Sequence, residues 1–115
     1  MNHGIIDPAI FTELQDSAGA DFVSELVDTF LEEAPGLLAT LLSAREANDA
    51  DAFRRAAHSL KSNGQTFGAT ALGSAARKLE LAGLDADPTR DAAAIDGLQA
   101  TLDEVALALK AISHG

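Results

Sequence analysis

One histidine of this chain stands among side chains that could act on a group attached to it. Lys61 and Ser62 follow His58 by three and four residues, which is one turn if the segment is helical. The imidazole of a histidine titrates near pH 6.5, and its unprotonated nitrogen is a good nucleophile toward phosphorus. A lysine ammonium could then hold a phosphoryl group by charge-assisted hydrogen bonds, and a serine hydroxyl could add a neutral donor. Because a lone surface histidine is usually inert, this hypothesis needs support from the surrounding sequence.

Charge is unevenly distributed along the chain. Its 115 residues include 8 Lys and Arg against 18 Asp and Glu, which gives a net charge of −10. Such an acidic balance argues against a protein that binds nucleic acid or an anionic membrane. The absence of cysteine excludes disulfides and thiolate chemistry. Between residues 54 and 79 there is no acidic residue, and a basic segment is found there: Arg54, Arg55, Lys61, Arg77 and Lys78. This basic segment suggests a place for an anion, although solvated helix charges explain it as well.

The apolar pattern predicts five helices and no strand. Ala and Leu are frequent, β-branched residues are few, and apolar positions recur every three or four residues. The pattern continues across Pro35-Gly36, so one kinked helix is predicted there, with a break at Ala34 as the alternative. The predicted apolar face of this helix consists of Phe22, Val23, Leu26, Val27, Phe30, Leu31, Ala34, Leu37, Leu38, Leu41 and Leu42. A short helix is predicted over about 8–16, with Asp7 as its N-cap. Longer helices are predicted over about 21–47, 50–67, 69–82 and, after a loop over 83–87, from Asp87-Pro88 onward.

Four long helices with short connections predict an all-α fold, an up-and-down antiparallel four-helix bundle with a short extra N-terminal helix. The last helix carries apolar residues at the spacing of a bundle seam: Ile95, Leu98, Leu102, Val105, Leu109 and Ile112. The length supports a single domain over 1–115, and a self-contained bundle favours a monomer. No apolar stretch is long enough to span a membrane and no targeting signal is visible, so a cytoplasmic protein is expected.

His58 is predicted on the solvent-facing side of the third helix. At 100° per residue the apolar positions of that helix fall within about one third of its circumference, and His58 points roughly 150° away from their middle. The apolar positions are Phe53, Ala56, Ala57, Leu60, Gly64 and Phe67. Gly64 in mid-helix costs about 1 kcal/mol relative to Ala, and close packing against another helix is the simplest reason for it.

The segment around His58 resembles the signature of the histidine-containing phosphotransfer (HPt) domain. The family pattern has a phospho-acceptor His, a Lys three residues later, a small residue next, and a Gly ten residues after the His. This chain matches with His58, Lys61, Ser62 and Gly68, although Ser62 stands where many members have Gly. Residues 21–35 and Asp51 are similar to the family's first bundle helix and the start of its second. The resemblance therefore covers nearly the whole chain.

The resemblance implies a phosphorelay intermediate. His58 would accept a phosphoryl group through Nε2 from the aspartate of a response-regulator receiver domain, or from a hybrid kinase, and pass it to another receiver. Lys61 would stabilise the phosphoryl group. The receiver would supply Mg²⁺ and most of the transition-state stabilisation, so no cofactor bound by this chain is expected. The implied partners are receiver domains and a sensor or hybrid histidine kinase.

The same resemblance assigns supporting roles to the residues around His58. Candidates for the docking surface are the positions flanking Leu60, Ser62, Gln65 and the first bundle helix. Arg54 and Arg55 count as supporting residues because they belong to the basic segment. Gly68 permits the tight turn to the next helix. Glu80 occupies the position of a polar residue, Gln or Glu, that lies near the active His in the family. As a carboxylate it is expected to orient Lys61 more than to contact phosphate.

Three other functions compete with this one. A di-metal carboxylate enzyme needs Glu-x-x-His pairs, but Arg55 and Ala111 stand three residues before His58 and His114. A helical interaction module with a degenerate site would share the fold. So would the phospho-acceptor module of a chemotaxis-type kinase, which takes phosphate directly from an ATP-binding domain. Because the chain has no G-x-x-x-x-G-K-[ST] loop, we do not expect it to phosphorylate itself from ATP.

Overall fold

The computed structural model describes residues 5–84 and 88–114, which form five α-helices and no strand. The helices are α1 (Pro8–Ala18), α2 (Ala20–Ala47), α3 (Ala50–Phe67), α4 (Thr70–Ala82) and α5 (Pro88–His114). The all-α prediction is therefore confirmed. None of the helices, within these two ranges, is long and apolar enough to cross a membrane.

Short polar side chains and glycines set the helix ends. Asp7 caps α1 by accepting hydrogen bonds from the backbone N–H groups of Ala9 at 3.0 Å and Ile10 at 3.5 Å. Gly19, with a φ of +94°, ends α1 and begins α2, so α1 is longer than predicted and α2 starts before Asp21. Glycine adopts this backbone conformation without strain. Asp87, where the last helix is predicted to start, lies outside the described residues.

Helix α2 continues through its internal proline. Ala34 and Leu38 stay buried on the same face on either side of Pro35, so packing outweighs the hydrogen bond that the proline removes. One helix was the correct prediction, and the break at Ala34 is wrong. The predicted apolar face was too wide, however, because Phe22 and Leu42 are 52% and 49% exposed. Each lies beside the buried face of α2, and its side chain points about 100° away from the centre of that face.

The four long helices pack in sequence around one core. Each contacts the next along the chain, α5 also contacts α2, and α1 packs on α2 and α3. The rings of Phe30 and Phe67 lie 5.5 Å apart between α2 and α3. The predicted seam of α5 is buried apart from Ile112, which is half-buried. At one end of the molecule Arg45 of α2 forms an ion pair with Asp91 of α5, whose carboxylate is almost completely buried.

Two glycines allow α3 and α4 to form a close hairpin. Gly68 has a left-handed φ of +77° and ends α3, and the N–H of Ala69 donates to the Gly64 carbonyl at 2.7 Å. A Cβ on Gly64 would lie 2.8 Å from the backbone nitrogen of Gly73, so only glycine fits at this crossing. The predicted turn at Gly68 and the helix packing at Gly64 are confirmed, and α4 begins at Thr70, one residue later than predicted.

Candidate functional site

The α3–α4 hairpin brings together two polar residues that are far apart in sequence. Gln65 of α3 lies against Gly73 of α4, and further from the turn His58 meets Glu80. The two helices therefore run antiparallel on either side of Gly68. The register of this hairpin, set by the close crossing at Gly64, places the Glu80 carboxylate beside the imidazole ring.

His58 stands on the solvent side of α3, as predicted. Its side chain is 57% exposed, whereas Ala57 and Leu60, its neighbours on the other side of the helix, are completely buried. Ring atom Nδ1 lies 2.6 Å from Oε2 of Glu80. The ring is therefore fixed at one nitrogen, while its edge remains open to water.

Glu80 joins His58 to Lys61. The Nζ of Lys61 donates a hydrogen bond of 2.7 Å to Oε1 of Glu80, so each carboxylate oxygen has its own partner. The hydrogen bond from Lys61, followed by that from His58, holds the pKa of Glu80 below its ordinary value. An ionised carboxylate only accepts hydrogen bonds, so in the neutral form of the His58 ring the proton lies on Nδ1 and the lone pair on Nε2. The site thus presents one nucleophilic nitrogen next to an ammonium group.

The two arginines predicted near the site line an open hollow beside the ring. This hollow, of about 490 Å³, is formed by Arg54, Arg55, His58, Ser59 and Glu80, and we call it the His58 hollow. Arg54 forms an exposed ion pair with Asp51, and Nε of Arg55 donates to the Asp51 carbonyl at 3.4 Å. Both guanidinium groups are therefore held back toward the start of α3.

The other predicted site residues lie further along α3. Ser62 is half-buried one turn after His58, and Gln65 is exposed two turns after it. Gln65 lines a second hollow together with Arg77, Gly73, Thr70 and Ser74, which we call the Gln65 hollow. Gly68 is buried beneath α1, where an added Cβ would lie 3.0 Å from the Asp7 carbonyl oxygen. It therefore shapes the hairpin and does not face the imidazole.

The two cations of the basic segment that belong to α4 lie on different sides of this helix. Arg77 lies on the side that faces α3, with Gln65. Lys78 lines the groove between α4 and α5 instead, with Ala94 and Leu98. The sequence suggested one basic surface, but adjacent helical positions point about 100° apart, so Lys78 does not belong to the site.

Comparison with protein families gives one match. The Hpt domain family matches residues 25–108, which is most of the chain and includes the whole α3–α4 hairpin. The chain belongs to the Hpt domain family. Membership places it among the histidine phosphotransfer proteins of two-component signalling, which carry phosphoryl groups and are not kinases. Comparisons of this Hpt domain with curated proteins and with solved structures give no match.

Within the part of this Hpt domain that the structure describes, no group of three or more His, Asp or Glu side chains is placed to hold a metal ion. Glu80 contacts only a histidine and a lysine at the site, both through hydrogen bonds. The Glu80 carboxylate thus links the imidazole ring to the ammonium group.

Sequence reasoning missed two features of the site. The sequence predicts that Glu80 orients Lys61 but gives no contact with the ring of His58, and in the structure the carboxylate is hydrogen-bonded to both. Sequence reasoning also missed a groove beside the His58 hollow, here called the α2–α3 groove. This groove is lined by Leu37, Thr40, Ala52, Arg55, Ala56 and Ser59. Only the register of the packed helices reveals these contacts, and no local spacing signals it.

Proposed function

We propose that this Hpt domain is a phosphorelay intermediate that accepts a phosphoryl group on Nε2 of His58 from a receiver aspartate and passes it to another receiver. One observation carries the proposal. Glu80 engages Nδ1 of an exposed ring, so the free Nε2 is presented to solvent with the Lys61 ammonium nearby. A partner can approach this nitrogen without any rearrangement of the core.

The transfer step needs only the groups that the two proteins bring. The Nε2 lone pair attacks the phosphorus of the aspartyl phosphate in line, and the P–N bond forms as the P–O bond breaks. The electron pair of the broken bond leaves with the aspartate carboxylate. The ring keeps its proton on Nδ1 and becomes positively charged, which the Glu80 carboxylate stabilises through the 2.6 Å hydrogen bond. The reverse reaction delivers the group to another receiver.

Lys61 stabilises the phosphoryl group on His58. Its ammonium carries three donors, of which Glu80 occupies one in the present arrangement. A phosphoryl group on Nε2 adds anionic oxygens to the same side of the hairpin and attracts this cation. Ser62, one turn from His58 and half-buried, can add a neutral donor.

The receiver domain docks over the His58 hollow and the α2–α3 groove. These two depressions share Arg55 and Ser59, so together they form one surface that is apolar at Leu37 and basic at Arg55. A receiver carries its phosphoaspartate in an acidic site, which a basic rim around His58 attracts. Mg²⁺ belongs to that receiver site in this proposal, and this chain supplies no nucleotide or metal of its own.

Several finer properties belong to the same proposal. The chain has no autokinase activity and takes its phosphoryl group from a receiver domain, which can be part of a hybrid kinase, and its partners include a sensor or hybrid histidine kinase. It works in the cytoplasm as a monomeric single domain over 1–115. Its four long helices form an up-and-down antiparallel bundle, which the cyclic packing of α2 to α5 and the short connections support.

Phosphotransfer from a labelled receiver tests the proposal. The parent is expected to acquire label that is labile in acid and stable in alkali, as a phosphohistidine is. His58→Gln should remove this label completely, whereas His3→Gln, which removes another of the three histidines, should keep it. Label that survives in His58→Gln overturns the assignment of the acceptor.

A second arm of this experiment identifies the donor. The parent is incubated with a histidine kinase and ATP in the absence of any receiver. Labelling by receivers alone fits the phosphorelay intermediate. Labelling by the kinase alone contradicts it and shows the phospho-acceptor module of a chemotaxis-type kinase instead.

A further inference from the structure

When His58 is phosphorylated, the Lys61 ammonium group lies near two anions, the Glu80 carboxylate and the phosphoryl group. In the present arrangement Lys61 is hydrogen-bonded to Glu80 at 2.7 Å. A phosphoryl group on Nε2 would bind the two remaining donors of the same Nζ and draw the ammonium toward itself, which weakens its hydrogen bond to Glu80. As Lys61 turns toward the phosphoryl group, Glu80 keeps only its contact with Nδ1 of His58.

Water cannot easily replace the Lys61 ammonium group as the partner of the Glu80 carboxylate. The side chain of Glu80 is 16% exposed, so most of its surface is covered by protein, including Lys61 and His58. A carboxylate that is largely removed from water is destabilised unless a positive group stays close to it. In the phosphorylated site the positive ring stays at Oε2 of Glu80, but Oε1 loses its partner as Lys61 turns away. A second cation within reach of Oε1 therefore stabilises this state.

Arg77 is placed to supply that cation. It lies one turn before Glu80 on α4, and side chains three positions apart are neighbours on a helix surface. By the register of the hairpin it is level with Lys61. Arg77 is exposed and makes no hydrogen bond or ion pair with the residues that the structure describes.

The other cations of the basic segment are less well placed. Arg54 and Arg55 are both engaged with Asp51, toward the start of α3. Lys78 lies in the groove between α4 and α5, on another side of the helix. Arg77 is thus the cation of this segment that combines a free guanidinium group with a position one turn from Glu80.

We propose that Arg77 is a positioning residue of the phosphorylated site, which pairs with Glu80 when Lys61 moves to the phosphoryl group. The inference rests on the proposed function, since it concerns the phosphohistidine form. In the unphosphorylated protein Glu80 holds Lys61 beside the ring. In the phosphorylated protein Arg77 pairs with the Glu80 carboxylate, so Lys61 can bind the phosphoryl oxygens. Arg77 acts through Glu80 and does not contact the phosphoryl group.

The equilibrium of phosphoryl transfer between a receiver and this chain tests the inference. Without Arg77, Lys61 is held more strongly by Glu80, and phosphohistidine becomes less stable. Arg77→Gln should lower the equilibrium constant for transfer to His58 about two- to fivefold, the effect of one solvent-accessible ion pair. Lys78→Gln changes the net charge equally one residue away and should leave this constant unchanged. Equal constants for the two variants overturn the inference.

A double-mutant cycle shows whether Arg77 acts through Glu80. In the Glu80→Gln background, Arg77→Gln should cause no further change in the equilibrium constant. An effect as large as in the parent background would mean direct contact with the phosphoryl group and contradict the proposed role. Failure of the proposed function is a different result, because the parent would then form no phosphohistidine at all.

Discussion

Glu80 Oε2 lies 2.6 Å from His58 Nδ1, although the two residues belong to different helices. This contact defines the chemistry of the site, because it fixes which ring nitrogen carries the proton. It depends on the α3–α4 hairpin, whose close crossing at Gly64 and left-handed turn at Gly68 set the register. A structural feature of the hairpin thus determines the nucleophile that is offered to the partner.

Replacing Glu80 should weaken the control of the histidine tautomer. In Glu80→Gln the amide can donate or accept, so Nδ1 loses its strong preference for the proton, and the positive ring of the product loses its counter-charge. We expect the rate of phosphoryl acceptance to fall about 10- to 100-fold, the range expected for losing a hydrogen bond to a charged group.

Labelling kinetics measure this rate, and the ¹⁵N chemical shifts of the ring report the tautomer. Glu104→Gln, an exposed position on α5, makes the same charge change and should behave as the parent. An unchanged tautomer ratio in Glu80→Gln would contradict the account of the site.

The same ion pair should give the stability of the protein an acid-dependent part. The pKa of Glu80 is lowered from 4.5 in the folded state by its bonds to Lys61 and His58. A carboxylate with a depressed folded pKa binds fewer protons folded than unfolded, so it stabilises the fold above its unfolded pKa. This contribution is lost as the pH falls from about 4.5 through the lower folded pKa.

Urea unfolding of the parent and of Glu80→Gln between pH 6 and pH 3 checks this dependence. The free energy of unfolding of the parent should exceed that of the variant at pH 6, and the two should converge toward pH 3. A difference that is constant across this range would show that the ion pair does not contribute.

The sequence predicted the elements of this fold better than their contacts. Apolar spacing identified the buried face of α3 completely, because that pattern follows the helical period. It failed at Phe22 and Leu42, where apolar residues flank the stripe that faces the core. Their exposure depends on how far neighbouring helices reach around α2, which no local pattern contains.

In the candidate site too, the features within one helix could be predicted and the contacts between helices could not. His58 and Lys61 could be chosen from a spacing within one helix turn. The contact of Glu80 with the ring could not, since it arises from the register between two helices. Only the match to a known family pattern drew attention to Glu80, and it gave the position without the geometry.

The helix crossing at Gly64 should tolerate no side chain. A Cβ there would lie 2.8 Å from the backbone nitrogen of Gly73 and 3.1 Å from the Ala69 carbonyl oxygen, so α4 must move away. We expect Gly64→Ala to lower the free energy of unfolding by about 1–3 kcal/mol, the range for overpacking a core. Because the movement shifts Glu80 relative to His58, phosphoryl acceptance should fall as well.

Gly36→Ala is the matched control for this substitution. Gly36 also lies inside a helix, but an added Cβ meets nothing within 4 Å. Alanine should therefore raise the free energy of unfolding by about 0.5–1 kcal/mol through its better helix propensity. Equal effects of the two substitutions in urea unfolding would contradict the close crossing of α3 and α4.

The ion pair between Arg45 and Asp91 should stabilise the end of the bundle far more than a surface pair does. The Asp91 side chain is 5% exposed, and Nε of Arg45 lies 2.9 Å from its carboxylate. Arg45→Met keeps the length of the side chain but leaves a buried carboxylate without this cation. We expect the free energy of unfolding to fall by about 1–3 kcal/mol.

Arg54→Met removes an ion pair whose two side chains are more than half exposed, so it should cost less than about 1 kcal/mol. Urea unfolding at neutral pH compares the two variants, and equal losses would show that burial of Asp91 does not strengthen its dependence on Arg45.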